Sequence, residues 1–489
     1  MVGGSEGDRG VPGEPPPQLL TPPPWATGAA LGALIALLAA TALWKHLAPT
    51  YVAMLFCWLV IAGGLAGSRI VERMSRRDVL WQLEAVLIVA VIVRWAMLLQ
   101  GEVETRDVVV AIHRGQSYLA GGTPYTPGLE VNKPPAYLFL SSGLVATVGP
   151  SVLAFRAMMG LVDALVAVVL LCMARERASP RTALAIALLY AINPLSAVSV
   201  GIEGHYDPVV VLFALGGLWL LMRGSPVWGS LALGVGFALK LYPAVLLPWA
   251  LVEERRWGRR AMMVVAFAAP MALSWVPILA QNPDALHFYV TWQAAWAPKK
   301  GIAYGISMIA GWSDTSAAAR AVSIAVELVF LSLLATMFLD WLRRRSRAPA
   351  SHLRDWFLVL TACYYALYAL MFVGTVMDPR FHAGVERRAL AAVVAAAYLP
   401  LGAMGMWWLW RGPLRGPLGV PAGDRQVMLA ALSVAFLLFS SAQYNPWYLL
   451  WLLPLVLLIG APRVRETWLW LSPWNAEGAG VRLWPGRTL

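Results

Sequence analysis

The chain runs to 489 residues, of which 59% are hydrophobic and 13% charged, with a mean hydropathy of +0.65. That is too little polar surface to cover a soluble globule of this length. The net charge of +12 falls in short clusters between apolar runs rather than along one face, so it reads as a topology signal and excludes a nucleic-acid partner. The three cysteines, Cys57, Cys172 and Cys363, lie within apolar runs at wide spacing, which implies neither a disulfide framework nor a zinc site.

In chain order, residues 1–26 are rich in Pro and Gly and predict a disordered tail. No cleavable signal peptide is expected, because the first apolar run begins at Thr27 and a second follows at once. Apolar runs predict about twelve crossings: 27–48, 51–68, 80–100, 152–173, 182–202, 208–223, 261–280, 320–342, 354–376, 389–410, 426–442 and 446–461. The expected architecture is an all-α, polytopic transmembrane helix bundle. Two other apolar segments are not expected to cross. Residues 136–149 are short and led by proline, which suits an interfacial helix; residues 228–252 are interrupted at Tyr242-Pro243 and Pro248, which suits a re-entrant or bent hairpin.

With that assignment the basic clusters at 69–77, 175–181, 255–260, 343–347, 411–415 and Arg463 with Arg465 share one side, which the positive-inside rule makes cytoplasmic. Both termini, including the tail 462–489, then lie in the cytoplasm. The loop holding Arg380, Arg387 and Arg388 is the exception. Asp107, His113, Glu203, His205, Asp207, Asp284, His287, Asp378, Arg380, His382 and Gln443 all collect on the outer side. The polar residues thus point to a plasma-membrane protein whose site faces away from the cytoplasm.

Asp107 opens the segment DVVVAIHRGQSYLAGGTPY in the outer loop 101–135, whose apolar spacing predicts an amphipathic helix on the bilayer surface. Its carboxylate can serve as a general base at the edge of a cavity, or as an N-cap to that helix. Lys133 in NKPPAYLF can bind a phosphate as a point charge or snorkel at the interface. Lys240 ends an apolar run of about 12 residues, which at ~1.5 Å per residue sets it deep in the bilayer, where an ionisable group needs a partner and a role. In GIEGHYDP, Glu203, His205 and Asp207 can orient a sugar, hold a divalent ion, or form a solvated loop. Gln443 and Tyr444 open a Trp-rich span suited to sugar faces, or to an interfacial belt. Asp163 and Glu327, within spans, read equally as interhelical hydrogen-bonding residues or substrate contacts; His46 and His352 read as interfacial.

These segments resemble the GT-C superfamily of integral-membrane glycosyltransferases, and among them the bacterial polyprenol-phosphate-mannose-dependent mannosyltransferases. The matching stretches are DVVVAIHRGQSYLAGGTPY, KPPAYLF followed by AFRAMMGLVDAL, GIEGHYDPVVVLFALGGLWLL, GFALKLYPAVLLPWAL and QYNPWYLLWLLP, in family order across about 80–461. The resemblance implies an inverting transfer of a sugar, mannose by analogy, from a polyprenyl-phosphate donor to the hydroxyl of a lipid or glycan acceptor. Asp107 then matches the catalytic base; Lys133, Lys240 and Arg380 are candidates for the donor phosphate; and His205, Asp207, Gln443 and Tyr444 for acceptor or sugar. The chain departs from the family in an extra hairpin, 27–68, and in having one Asp where a D-x-D pair would bridge a metal. No cofactor is therefore expected, and a divalent metal is open to the site but not indicated. The competing reading is a transporter or flippase of lipid-linked sugars, against which stand the absence of a visible repeat and the gathering of polar residues at one face.

Overall fold

The computed structural model describes residues 69–100, 106–294, 303, 306–307, 310–312, 316–344, 422–440 and 448–459. The expected tails 1–26 and 462–489, the hairpin 27–68 and the crossings 354–376 and 389–410 lie outside the described residues. Within them every regular element is helical, and the sole β feature is an isolated bridge between Thr126 and Leu129.

Helix α1 (Arg69–Ser75) leads to α2 (Val79–Ala96), whose first turn is capped by Asp78 accepting from the Trp81 amide at 2.8 Å. There follow α3 (Arg106–Leu119), α4 (Pro135–Val148), α5 (Val152–Arg175), α6 (Pro180–Ala191), α7 (Asp207–Met222), α8 (Pro226–Leu239) and α9 (Leu247–Glu253). The remainder are α10 (Trp257–Gln281), α11 (Ala285–Ala294), α12 (Ala317–Arg344), α13 (Ala422–Ser440) and α14 (Leu449–Ile459). Four of them, α2, α5, α10 and residues Ala317–Leu339 of α12, are long and apolar enough to cross a membrane. They fall on the crossings expected at 80–100, 152–173, 261–280 and 320–342. The protein is a polytopic, all-α membrane bundle.

The expected crossing 182–202 is a broken one. Pro194 has no amide hydrogen, so the Tyr190 carbonyl cannot receive its helical bond; α6 stops at Ala191 and the chain resumes as a π-helical segment, Ala197–Ile202. In a membrane interior a freed carbonyl has no water to turn to. Arg94 on α2 supplies the donors: Nη2 reaches the Tyr190 carbonyl at 3.1 Å and Ser196 Oγ at 2.8 Å, and Nη1 donates to the Ala191 carbonyl. The charge of Arg94 is met by Asp163 on α5, with Nε 2.7 Å from Oδ2, and both side chains are fully buried. Tyr190 donates its phenol to Asp163 Oδ1 at 2.6 Å and Ser196 donates to Oδ2, so neither carboxylate oxygen lacks a partner. Of the two roles open to Asp163, the structure gives it the interhelical one.

Helices α7 and α8 form an antiparallel hairpin whose backbones touch: a Cβ on Gly217 would lie 2.8 Å from the Gly229 carbonyl oxygen. Over its 14 residues α8 climbs ~21 Å, so that Lys240 arrives beside Asp207 at the far end of α7. Lys240 itself is extended, and Pro243 opens a 3₁₀ turn, Tyr242–Leu246, from which α9 descends again. The segment 226–253 thus returns to the end from which it starts, where Glu253 lies beside Pro226, with its tip at the level of Asp207.

Arg175, Arg181, Arg223 and Arg259 gather at the end from which that hairpin starts. Arg181 pairs with Glu72 at 3.9 Å, Arg223 with Glu176 at 2.9 Å, and Arg175 donates to Gln82 at 2.5 Å. There Glu254 and Arg259 line a cavity of about 210 Å³ together with Gly224 and Pro226. The cluster of Asp107, Glu203, His205 and Asp207 occupies the other end.

The Arg94–Asp163 pair gives a direct test. Asp163→Ala leaves a buried guanidinium uncompensated, a change worth about 3–5 kcal/mol, and should sharply lower the thermal unfolding temperature of the detergent-solubilised protein. Arg94→Met with Asp163→Leu should lose less than the sum of the single changes, as expected for a coupled pair.

Candidate active site

Helix α3 buries Val108, Ala111 and Ile112 against the bundle and leaves Asp107, in its first turn, with a side chain 62% exposed. A carboxylate at that position lies at the positive end of the helix dipole. The amphipathic helix read from the sequence is therefore present, with Asp107 inside its first turn rather than ahead of it.

Helix α3 packs along α4, where a Cβ on Gly115 would lie 2.9 Å from the Ser141 carbonyl oxygen, and its first turn meets the segment that follows the π-helical turn. Arg156 on α5, fully buried, holds the Gly201 carbonyl through Nε at 2.9 Å and Nη2 at 2.7 Å, and the Met97 carbonyl through Nη2 at 3.2 Å. Gly204 then turns with φ +65°, and a Cβ there would sit 2.4 Å from Val108 Cγ2 and 2.9 Å from Arg156 Cγ. This close passage swings His205 against α3. Its Nδ1 lies 3.5 Å from Asp107 Oδ2, and its Nε2 lies 3.3 Å from Glu203 Oε2.

Asp207 begins α7, with Pro208 in the first turn where no amide is needed. Its carboxylate is 1% exposed. Oδ1 accepts from Lys240 Nζ at 2.7 Å and from Trp451 Nε1 at 2.5 Å. The ammonium is enclosed by rings, 4.4 Å from the centroid of Tyr448, 4.6 Å from Trp451 and 5.4 Å from Tyr206. Tyr242 stacks on Trp451 at 4.1 Å and 9°. Asp207 Oδ2 and the hydroxyls of Tyr206 and Tyr242 are buried with no partner among the described residues, which leaves them able to bind water or a substrate hydroxyl.

Lys133 ends the loop between α3 and α4. Tyr125, at φ +61°, donates its phenol to the Lys133 carbonyl at 2.7 Å, stacks on Trp275 with centroids 5.2 Å apart, and is held through its own carbonyl by Asn282 Nδ2 at 3.2 Å. Unlike Lys240, the Lys133 ammonium makes no hydrogen bond or ion pair with any described residue. Burial and the nearby charge of Lys240 push it down to about 8, against the opposing pull of Asp107 and Asp207. Arg114 on α3 lies close enough to act on it as well, and donates to Asn132 Oδ1 at 3.1 Å.

Five of the residues singled out from the sequence, Asp107, Lys133, His205, Asp207 and Lys240, therefore meet in one region, with Glu203 beside them. Lys240 and Asp207, expected to serve donor and sugar separately, are paired with each other. Arg380, Gln443 and Tyr444 lie outside the described residues, while His113, Asp284 and His287 are exposed. Among the described residues no three His, Cys, Asp or Glu side chains are grouped to hold a metal ion. Sequence reasoning passed over Arg94, Arg156 and Arg114. The first two were detectable as arginines inside apolar runs, where an ionisable group always needs a reason.

Gly204→Ala tests the turn. The added methyl must displace Val108 or Arg156, so His205 should move away from Asp107. Turnover should fall at least ~10-fold with the fold retained, as seen in activity beside an unfolding curve; a 1 Å displacement near reacting groups costs about 10² in rate.

Residues 133–372, a little under half of the chain, match the model of glycosyltransferase family 87. This region holds Lys133, Glu203, His205, Asp207 and Lys240, while Asp107 precedes it. No curated protein matches the chain. Among solved structures, the crystal structure of ArnT from Cupriavidus metallidurans in the apo state is similar at 18% identity over 77% of each chain, with a TM-score of 0.38. The same protein bound to undecaprenyl phosphate is similar at 18% identity over 78% of each chain, with a TM-score of 0.37. The family match covers the region that carries five of the six clustered residues, and that region lies in a polytopic helical bundle.

Proposed function

We propose that the protein transfers a sugar, with mannose the sugar its sequence resemblance favours, from a polyprenyl-phosphate donor to an acceptor hydroxyl on the extracytoplasmic face of the plasma membrane. The observation that carries this reading is the meeting of an accessible carboxylate, Asp107, with the Lys133 ammonium, which has no partner among the described residues, at the end of the bundle opposite its basic clusters. Those two groups are what a single displacement at an anomeric carbon demands. The acceptor oxygen attacks as Asp107 takes its proton, and the phosphate departs on the opposite side with its growing negative charge met by Lys133. One displacement inverts the anomeric configuration, and no cofactor enters the step. The positive-inside argument supports a membrane-borne donor, since the site end is the end remote from the basic clusters and nucleotide sugars are confined to the cytoplasm. Lys240 is committed to Asp207; on this reading it fixes the field around Lys133, and Asp207 presents its remaining oxygen to a sugar hydroxyl.

The reading is tested by incubating purified protein with a panel of polyprenyl-phosphate sugars and a membrane glycolipid extract, and following new glycolipids by mass. Asp107→Asn keeps size and exposure but removes the base, and should lower turnover by ~10²- to 10⁴-fold. Turnover at the wild-type rate in that variant would remove the assignment. Lys133→Ala should reduce both apparent donor affinity and kcat, because the phosphate gains charge as the bond breaks.

The lowered proton affinity of Lys133 makes a separate prediction. A lysine that loses its proton at about 8 is cationic below that pH and neutral above it, so kcat/KM for the donor should fall as pH rises through about 8. Bound phosphate favours the ammonium, so the same limb should lie higher in the profile of kcat. Lys133→Arg, which stays charged, should abolish the limb while retaining part of the activity.

A further inference from the structure

We propose that His205 and Glu203 act through Asp107, carrying away the proton that it removes from the acceptor and so restoring the base for the next turnover. The inference rests on the reading of Asp107 as that base. Its ground is the geometry of the ring: His205 is 6% exposed, with one nitrogen facing the Asp107 carboxylate and the other the Glu203 carboxylate. The ring is also fixed in place. Its backbone amide donates to the Ser199 carbonyl at 3.1 Å, and the preceding Gly204 admits no side chain.

A neutral imidazole has one donor and one acceptor nitrogen, whereas two ionised carboxylates can only accept. The neutral ring satisfies both neighbours only when one of them carries a proton. Protonated Asp107, the state left by attack of the acceptor, is that case: its hydroxyl donates to Nδ1 while Nε2–H donates to Glu203. From there the O–H bond of Asp107 breaks as an Nδ1–H bond forms, which leaves a cationic ring between two anionic carboxylates. The Nε2 proton then passes to Glu203, whose side chain is 17% exposed and able to release it to water, and exchange with water re-establishes the Nε2–H ring. Protons and charge balance at every stage, and no further reactant is needed. Among the described residues Asp207, at the head of α7, also acts on His205, from a distance and with its own charge largely met by Lys240.

The test uses the full-length purified protein, a polyprenyl-phosphate mannose and a membrane glycolipid extract. Both His205→Ala and Glu203→Gln should lower kcat at least ~10-fold while leaving the apparent donor KM near wild type. Millimolar imidazole should restore several-fold of the turnover lost in His205→Ala, following the free-base concentration, whereas sodium chloride at equal ionic strength should not. Imidazole should do nothing for Asp107→Asn or Glu203→Gln. Wild-type turnover in either relay variant, or a folded His205→Ala that imidazole fails to raise, overturns the proposal. If His205→Ala does not fold, Glu203→Gln, which keeps shape and hydrogen bonding, decides alone. Asp107→Asn inactive beside fully active relay variants would refute the relay and leave the base in place; Asp107→Asn active would refute the base itself.

Discussion

The helix that stops at Ala191 governs the arrangement of this end of the molecule. A proline at 194 breaks the helical hydrogen-bond ladder in a medium without water, and Arg94 is pulled in from α2 to donate to the carbonyls at the break, beside a turn bond from the Asn193 amide to the Tyr190 carbonyl. An arginine there is itself untenable without a counter-charge, so Asp163 is required from α5, and Tyr190 and Ser196 complete the carboxylate. Burial of apolar surface distinguishes poorly between helix–helix and helix–lipid contact in a bilayer. A polar knot that ties α2, α5 and α6 together therefore does the specifying that a hydrophobic core performs in a soluble protein.

The break also has a constructive consequence. A straight helix through residue 202 would carry its polar end past α3; the interruption and the π-helical turn after it redirect the chain, and Arg156 clamps the redirected segment by the Gly201 carbonyl. Gly204 then lets it graze Val108, which sets the His205 imidazole beside Asp107. Sub-ångström placement of that kind comes from rigid support rather than from the loop itself. The two buried arginines are thus structural residues whose effect is felt at the site.

Much of this was legible in the sequence because the signals are physical ones. Apolar runs of sufficient length located α2, α5, α10 and α12, the alternation after Asp107 located the surface helix α3, and Pro243 with Pro248 marked where the deep hairpin bends. The polar residues of the outer segments were also visible as candidates. What spacing could not show is which of them meet. Lys240 and Asp207 stand 33 residues apart and looked like two separate ligand-binding groups, yet they neutralise each other at 2.7 Å. Likewise the His205–Asp107 contact depends on a single positive-φ glycine, and a lone Gly in a loop carries no sign of the neighbour that excludes its side chain.

The pairing of Lys240 changes how the charges at the site work on the proposed reading. Two free lysines close together would attract a phosphate strongly but would also hold the departing polyprenyl phosphate after transfer. With Lys240 bound to Asp207 and ringed by Tyr448, Trp451 and Tyr206, its charge is retained but its hydrogen-bonding capacity is engaged. Its remaining effect on Lys133 is repulsive, and together with burial it weakens the hold of Lys133 on its own proton. An incoming phosphate relieves that repulsion and its departure restores it, so the ammonium is favoured most when negative charge is greatest. That is the bias a leaving phosphate needs, because catalysis gains only from interactions that strengthen toward the transition state.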